Sequence, residues 1–234
     1  MPVRKFKIFR YNPETDKKPH YDNYEIDCES SWTILDSLNE IKWLHDGSLT
    51  YRRSCRHGIC GSCAMQINGL NGLACELQIS RYRKDPVVVD PLPGFVVLKD
   101  LAVNMEPFYS SLRRIKPWLI NDDPPPARER IQSPEEFALM DNSIGCILCA
   151  ACTSSCPSFW NDKDYLGPAA LLKAFRYSFD TRDQGLAHRI DMLDNKHGLW
   201  RCHKITNCFH ACPKKLNPTE AISKLQKKVV SEKW

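Results

Sequence analysis

No stretch of this chain approaches the roughly 18 uninterrupted apolar residues that a membrane-spanning helix needs, so any membrane role must come through partners. The N-terminal Met1-Pro-Val-Arg-Lys-Phe-Lys-Ile-Phe-Arg10 has no apolar signal core and no small-residue cleavage site. That argues against export, and with it against the oxidising compartments where disulfides persist. A long leader rich in Arg and Ser and poor in acids is missing too, which argues against a mitochondrial precursor, although a trimmed mature chain would look the same. Lys and Arg total 33 against 28 Asp and Glu, a formal net charge of +5. The basic residues are scattered among acids, with no Lys/Arg block of five or more, so a nucleic-acid partner is excluded. The chain also lacks any acid–base pair or substrate-binding constellation of its own.

What the chain has is cysteine. Twelve occur in 234 residues, and all but Cys28 fall in two blocks, 55–75 and 146–212. Two blocks and this length fit two domains, each able to bury a modest core. Without export, so many thiols favour metal binding over disulfides.

The later block carries two runs. Cys146-Ile-Leu-Cys149-Ala-Ala-Cys152-Thr-Ser-Ser-Cys156-Pro157 reads C-x2-C-x2-C-x3-C-P, the run of two-cluster bacterial ferredoxins. Cys202-His-Lys-Ile205-Thr-Asn-Cys208-Phe-His-Ala-Cys212-Pro213 keeps the frame, with Ile205 in place of the second cysteine. In such pairs the fourth cysteine of each run ligates the other run's cluster. Cys146, Cys149, Cys152 and Cys212 are therefore expected around a 4Fe–4S cluster. Cys156, Cys202 and Cys208 are expected around the other. Isoleucine has no lone pair to give iron, so that site is expected to lack one iron corner and hold 3Fe–4S. Zinc is the bland alternative, but it takes four ligands in a tetrahedron. One zinc would not use all these thiolates, and two would leave the second site one short.

In the first block, Cys55-Arg-His-Gly-Ile-Cys60-Gly-Ser-Cys63 with Cys75 beyond is C-x4-C-x2-C…C, the plant-type 2Fe–2S spacing. Four thiolates must wrap a small anionic cluster while backbone N–H groups point at its sulfurs. Gly58 and Gly61 allow the tight turns this takes. Arg52, Arg53 and Arg56 add positive charge. His57 is expected to be solvated or hydrogen-bonded, since four cysteines already complete the set. Each cluster with its thiolates carries roughly −2, so three would bring the +5 chain close to neutral.

Around these runs the chain reads as strands first and helices later. Residues 3–11 alternate apolar and polar, Asn12-Pro13 is a turn, and 21–27 reads as a second strand. Ser30 or Ser31 is expected to cap a helix from Trp32 to about His45, with Ile34, Leu35, Leu38, Ile41 and Leu44 on one face and Gly47 as its stop. Cys28, alone before that helix, reads as a small packed hydrophobe. Strands follow at 64–67, ending in Asn68-Gly69, and at 86–90. From about Asn104 the pattern is helical: Pro107 to Leu119, broken by Pro117; a start capped by Ser133; an amphipathic helix from Gly167; and a last one opened by Asn217-Pro-Thr-Glu with Ala221, Ile222, Leu225 and Val229 inward. Asp122-Asp-Pro-Pro-Pro126 is a stiff connector. The expected fold is α+β: a β-grasp plant-type ferredoxin domain over 1–103, then an all-α domain like the bacterial ferredoxins over 104–234.

The order of these domains, with the gap in the second run, resembles the iron–sulfur subunit of succinate dehydrogenase (succinate:quinone oxidoreductase), with fumarate reductase as a close relative. The likeness spans nearly the whole chain. It rests on Arg52-Arg-Ser-Cys-Arg-His-Gly-Ile-Cys-Gly-Ser-Cys-Ala-Met65, Pro91-Leu-Pro-Gly94, Cys146-Ile-Leu-Cys-Ala150, Cys156-Pro-Ser-Phe-Trp160 and Arg201-Cys-His203. The family usually shows two consecutive tryptophans after Cys-Pro-Ser-aromatic. Here Trp160 is single, and the segment to Gly167 is one residue shorter.

The resemblance implies an electron path. A flavoprotein subunit oxidises succinate on FAD, and electrons pass singly through 2Fe–2S, 4Fe–4S and 3Fe–4S to a quinone at a membrane anchor, with or without haem b. The residues matching the family's quinone site are Pro157, Ser158, Trp160, His203 and Ile205. Ser158 and Trp160 offer hydrogen-bond donors, and His203 offers a proton carrier. The chain would sit peripherally on the membrane, on the cytoplasmic face in a bacterium or the matrix side in a mitochondrion. The rival in the same class is a quinol:fumarate reductase iron–sulfur subunit running the other way, and the rival of another class is a free multi-cluster carrier with diffusible partners. The length and the aromatics near the last run argue against the free carrier.

Overall fold

The computed structural model describes residues 3–233. The chain forms two compact units. One holds the residues up to Met105 together with Ile147–Ser155, and the other holds Glu106–Cys146 together with the residues from Cys156 onward. Strands of the main sheet lie in the first and most helices in the second, a mixed α/β chain with an N-terminal sheet part and a helical C-terminal part.

In the first unit, β1 (Val3–Arg10) and β2 (His20–Asp27) form an antiparallel hairpin in register from Val3 opposite Asp27 to Arg10 opposite His20. α1 (Ile34–Glu40) follows and continues as one π-helical turn, Ile41–His45. β3 (Ala64–Ile67) and β4 (Leu70–Leu73) pair through the Asn68-Gly69 turn, and β5 (Val87–Asp90) completes the sheet. The strand order is β2-β1-β5-β3-β4, with β5 parallel to β1 and antiparallel to β3. β6 (Val97–Lys99) and β7 (Ala102–Val103) make a separate small ladder. The core joins Phe6 and Ile8 of β1, Met65 and Ile67 of β3, and Val87 and Val89 of β5 to Ile34, Leu35, Leu38 and Ile41.

Two details of α1 depart from the sequence pattern. Its cap is Thr33, not Ser30 or Ser31: the Thr33 side chain accepts from the Asp36 amide while Asp36 returns a bond to the Thr33 amide, a reciprocal capping box. Leu44 does not join the buried face and is 71% exposed. The π turn has more residues per turn than an α-helix, so the register that holds through Ile41 rotates past it. β4 was also hidden, because Leu70-Asn-Gly-Leu73 reads as turn residues until β3 supplies the pairing.

A buried arginine sets the entry to the cluster loop. Arg10 at the end of β1 bonds Asp100 at 3.1 Å, Asp22 at 3.0 Å, the Tyr24 hydroxyl, the Ser48 hydroxyl, and Asp46. Asp100 in turn accepts from the amides of Tyr11 and Thr50. The strand end, the end of the π turn and the start of the loop at Thr50 are thereby fixed to one cation.

The second unit comprises α2 (Glu106–Arg114), α3 (Pro134–Ala138) and α4 (Asp141–Ile144), then α6 (Pro157–Asn161), α7 (Gly167–Ser178), α8 (Leu186–Leu193), α9 (Asn207–His210) and α10 (Pro218–Lys233); α5 (Ala151–Ser154) belongs to the first unit. α7 is the hub: α2, α4, α8 and α10 pack on it, and Ala169, Ala170, Leu171, Leu172, Ala174 and Phe175 are buried along it. Ser133 caps α3 with a capping box through Glu136. Arg189 of α8, fully buried, pairs with Asp183 at 2.6 Å and donates to the carbonyls of Ile115, Lys116 and Trp118, closing the strand-less segment after α2 onto the helices. Cys28 is buried beside Ser37 in the first unit.

Candidate metal centres

Among the described residues none of the cysteines is in a disulfide. In the first unit, Cys55 and Cys60 lie toward solvent while Cys63 and Cys75 are buried under the loop. The loop aims its amides at sulfur: His57 N, Ile59 N and Cys60 N donate to Cys55 Sγ at 3.5, 3.3 and 3.3 Å, and Gly58 N donates to Cys75 Sγ at 3.2 Å. The amides of His57, Cys60 and Ile59 bring the Cys55 thiol down to about 6. Burial instead pushes Cys63 up to about 12. Four backbone N–H groups aimed at two sulfurs favour thiolate, so the donor set fits a metal centre better than a set of structural thiols.

The loop reaches this shape through residues in the left-handed region: Arg56, Gly58 and Gly61, with φ of 65°, 73° and 72°. At Gly61 a Cβ would stand 2.8 Å from Cys149 Cβ and 3.0 Å from the Ile147 carbonyl, so the segment 147–155 lies against the loop. Asn71 Nδ2 bonds the Ala151 carbonyl and Ser154 Oγ bonds the Pro93 carbonyl, seating that segment on the first unit. Arg53 is held by the Asn39 side chain and stacks on Trp43 at 5.1 Å. Arg52 donates to the Val103 carbonyl. His57 is exposed, with Nδ1 2.5 Å from the Cys55 carbonyl.

The two later runs share a backbone signature. In the first, Leu148 and Ala150 have positive φ on either side of Cys149, and α5 follows. In the second, Lys204 and Thr206 have positive φ on either side of Ile205, and α9 follows. Left-handed non-glycine residues are uncommon and locally costly, so two such pairs at matching positions mark the same ligand-presenting turn made twice. Ile205 occupies the position in its turn that Cys149 occupies in the other. Cys152, in the first unit, is buried, and Cys212, in the second, accepts from the Leu216 amide at 3.4 Å.

Within the second unit, Cys156, Cys202 and Cys208 converge on one small cavity. Pro157, Ser158, His203 and Ile205 line it as well. Trp160 does not: it stands on α6 and is 45% exposed, outside the lining. Burial raises the Cys202 and Cys208 thiols. Two lining residues carried no sequence signal. Tyr165 is fully buried, and its hydroxyl makes no hydrogen bond of standard geometry, although it couples to the Cys202 sulfur. Thr219 places its hydroxyl 3.3 Å from Cys208 Sγ. Tyr165 reads as core, and Thr219 as part of a helix start, until the fold brings them to the cysteines. Beside the site, Asp162 binds His197 at 2.8 Å and Arg201 at 3.3 Å, which fixes the end of α6 to the segment leading into Cys202.

Comparison with known proteins bears on these sites. Residues 5–110 match the family described as a 2Fe-2S iron-sulfur cluster binding domain, and residues 138–213 match that described as a 4Fe-4S dicluster domain. The chain is 44% identical over 230 residues to a protein of Coxiella burnetii named succinate dehydrogenase iron-sulfur subunit, covering 97% of each. It is 46% identical to the Oryza sativa protein named succinate dehydrogenase [ubiquinone] iron-sulfur subunit 1, mitochondrial, covering 96% of this chain and 82% of that one. A chain of the structure titled Mycobacterium smegmatis Sdh1 complex in the apo form superposes with a TM-score of 0.89 at 24% identity, covering 99% of this chain and 97% of that one, a likeness of fold.

Proposed function

The chain belongs to the family of succinate dehydrogenase iron–sulfur subunits, and on that premise we infer that it is the electron-carrying subunit of a succinate:quinone oxidoreductase. It passes electrons from the FAD of a flavoprotein subunit, by way of 2Fe–2S, 4Fe–4S and 3Fe–4S clusters, to quinone at a membrane anchor. When bound, the clusters supply one-electron steps, which split the electron pair removed from succinate. The acid–base chemistry on succinate belongs to the flavoprotein.

The ligand sets we assign are Cys55, Cys60, Cys63 and Cys75 for 2Fe–2S; Cys146, Cys149, Cys152 and Cys212 for 4Fe–4S; and Cys156, Cys202 and Cys208 for 3Fe–4S. For the first, the four sulfur-directed amides of the loop support the assignment. For quinone we assign Pro157, Ser158, His203 and Ile205, which share the cavity with the three cysteines, and Trp160, exposed on α6. The finer fold reading is a β-grasp plant-type ferredoxin domain over 1–103 and a helical bacterial-ferredoxin-like domain over 104–234. The mixed five-stranded sheet and the repeated ligand turn support it. The chain is peripheral to the membrane, and we place it on the cytoplasmic face of a bacterial inner membrane.

The observation that carries the three-thiolate site is Ile205 seated between two left-handed residues where the other turn seats a cysteine. Electron paramagnetic resonance of the oxidised, anaerobically purified complex tests it. Oxidised 2Fe–2S and 4Fe–4S are diamagnetic, so a signal near one spin per chain, lost on mild reduction, is the expected result. Ile205→Cys, reconstituted with excess iron, is expected to lose that signal as a fourth iron enters, with slower quinone reduction. An unaltered 3Fe signal in the variant would sink the assignment.

A further inference from the structure

The hydroxyls of Tyr165 and Thr219 have no task in holding the helices together. The Tyr165 ring is fully buried, yet its hydroxyl finds no hydrogen bond of standard geometry and ends at the cavity lined by Cys156, Cys202 and Cys208. A buried hydroxyl left unpaired is costly, and native interiors rarely leave one so. Thr219 stands at the start of α10, where such a hydroxyl commonly caps the helix. That role is filled by Asn217, whose Oδ1 accepts from the Glu220 amide at 3.1 Å. The Thr219 hydroxyl points instead to Cys208 Sγ, 3.3 Å away.

A phenol and an aliphatic alcohol keep their protons at neutral pH, whereas a cysteine bound to iron has given its proton up. Where Thr219 meets Cys208, and wherever the Tyr165 hydroxyl meets a sulfur of this centre, the oxygen must then be the donor and sulfur the acceptor. Hydrogen bonds to cluster sulfurs are one of the levers by which a protein sets reduction potential, because they favour the more negative, reduced state. We propose that Tyr165 and Thr219 are positioning residues that donate hydrogen bonds to the sulfurs of the Cys156–Cys202–Cys208 centre and hold its reduction potential up. This rests on the 3Fe–4S assignment above. The effect would make the last centre a better acceptor within the chain while leaving the 2Fe–2S loop, in the other unit, untouched.

The test is redox titration of the purified complex followed by the oxidised 3Fe signal, with iron content measured alongside. Tyr165→Phe and Thr219→Val remove each hydroxyl and keep most of its volume. The expected result is a downward shift in midpoint in each variant, a larger one in the double variant, unchanged iron content and an unchanged 2Fe–2S midpoint. A midpoint unmoved in both single variants would overturn the proposal and leave the cluster assignment standing. Absence of the 3Fe signal in the unsubstituted complex would overturn the assignment itself. Should a variant lose its iron, the unsubstituted chain produced with 3-fluorotyrosine decides: a more acidic phenol donates more strongly, so the midpoint should rise. No rise there would overturn the role of Tyr165.

Discussion

At Gly61 two demands fall on one residue: a left-handed backbone and a neighbour that leaves no room for a side chain. Its φ is +72°, and an added Cβ would meet Cys149 Cα at 2.9 Å, main chain that has no way to swing aside. Gly61→Ala is expected to cost on the order of 2–4 kcal/mol and to lower 2Fe–2S occupancy, read by visible absorption, iron content and thermal melting. Gly69→Ala is the comparison. Its φ is +80°, but nothing lies within 4 Å, so only the conformational cost of about 1–2 kcal/mol remains, with cluster content unchanged. Equal losses at both positions would show that the packing on Gly61 is irrelevant. The glycines of the loop are legible in sequence because turns demand them. What packs on them is not, because Cys149 lies far along the chain and spacing reports only local geometry. The same limit hid Tyr165 and Thr219, whose relevance comes wholly from where the second unit's helices bring them.

Elements in this chain are secured at their ends by charge, and Asp180, just past α7, is the clearest case. It receives Arg176 and Arg182, each at 2.8 Å, and the Gln132 amide. Burial alone would raise the Asp180 carboxyl, but the bonds from Arg182 and Arg176 outweigh it and hold the group well below the usual carboxylate range. A depressed carboxyl contributes stability above its unfolded value of about 4 and loses it as pH falls toward the folded one. Asp180→Asn is therefore expected to lose on the order of 1–3 kcal/mol at neutral pH and to show a flatter stability curve below about pH 4. Denaturant unfolding across pH measures this, and parallel acid limbs in the two proteins would refute it. Helix α7 itself was plain from its apolar stripe, and so was the buried face of α1 through Ile41. The cap of α1 was not, because Thr33 pairs with an aspartate three residues on where the commoner box uses glutamate or glutamine. Leu44 was misplaced because a π turn leaves no mark in an apolar pattern.

For the molecule as a whole, the balance of charge and the placing of apolar residues matter more than any one contact. Among the described residues no helix is long and apolar enough to cross a membrane, while Trp160, Ile205 and Phe209 in the second unit are exposed. Produced without anchor subunits, the chain is expected in the supernatant after high-speed sedimentation. Produced with them, it should pellet with membranes together with the flavoprotein. Sedimentation of the lone chain with membranes would contradict a role that reaches the bilayer only through partners. The cluster types were legible at this scale, since thiolate spacing is dictated by the geometry of iron and sulfide. The assembly of the first unit was not, because its last piece comes from the far side of a run of helices in sequence.

That last piece, Ile147–Ser155, has a bearing on descent. The chain leaves the first unit at Met105 and returns to it some forty residues later, so any breakpoint between those two pieces divides the unit. A recombination joining the front half of one relative to the back half of another would set one parent's Gly61 loop against the other parent's Cys149 segment. Fit between the two stretches is therefore a condition on such a chimaera, although neither adjoins the other along the gene.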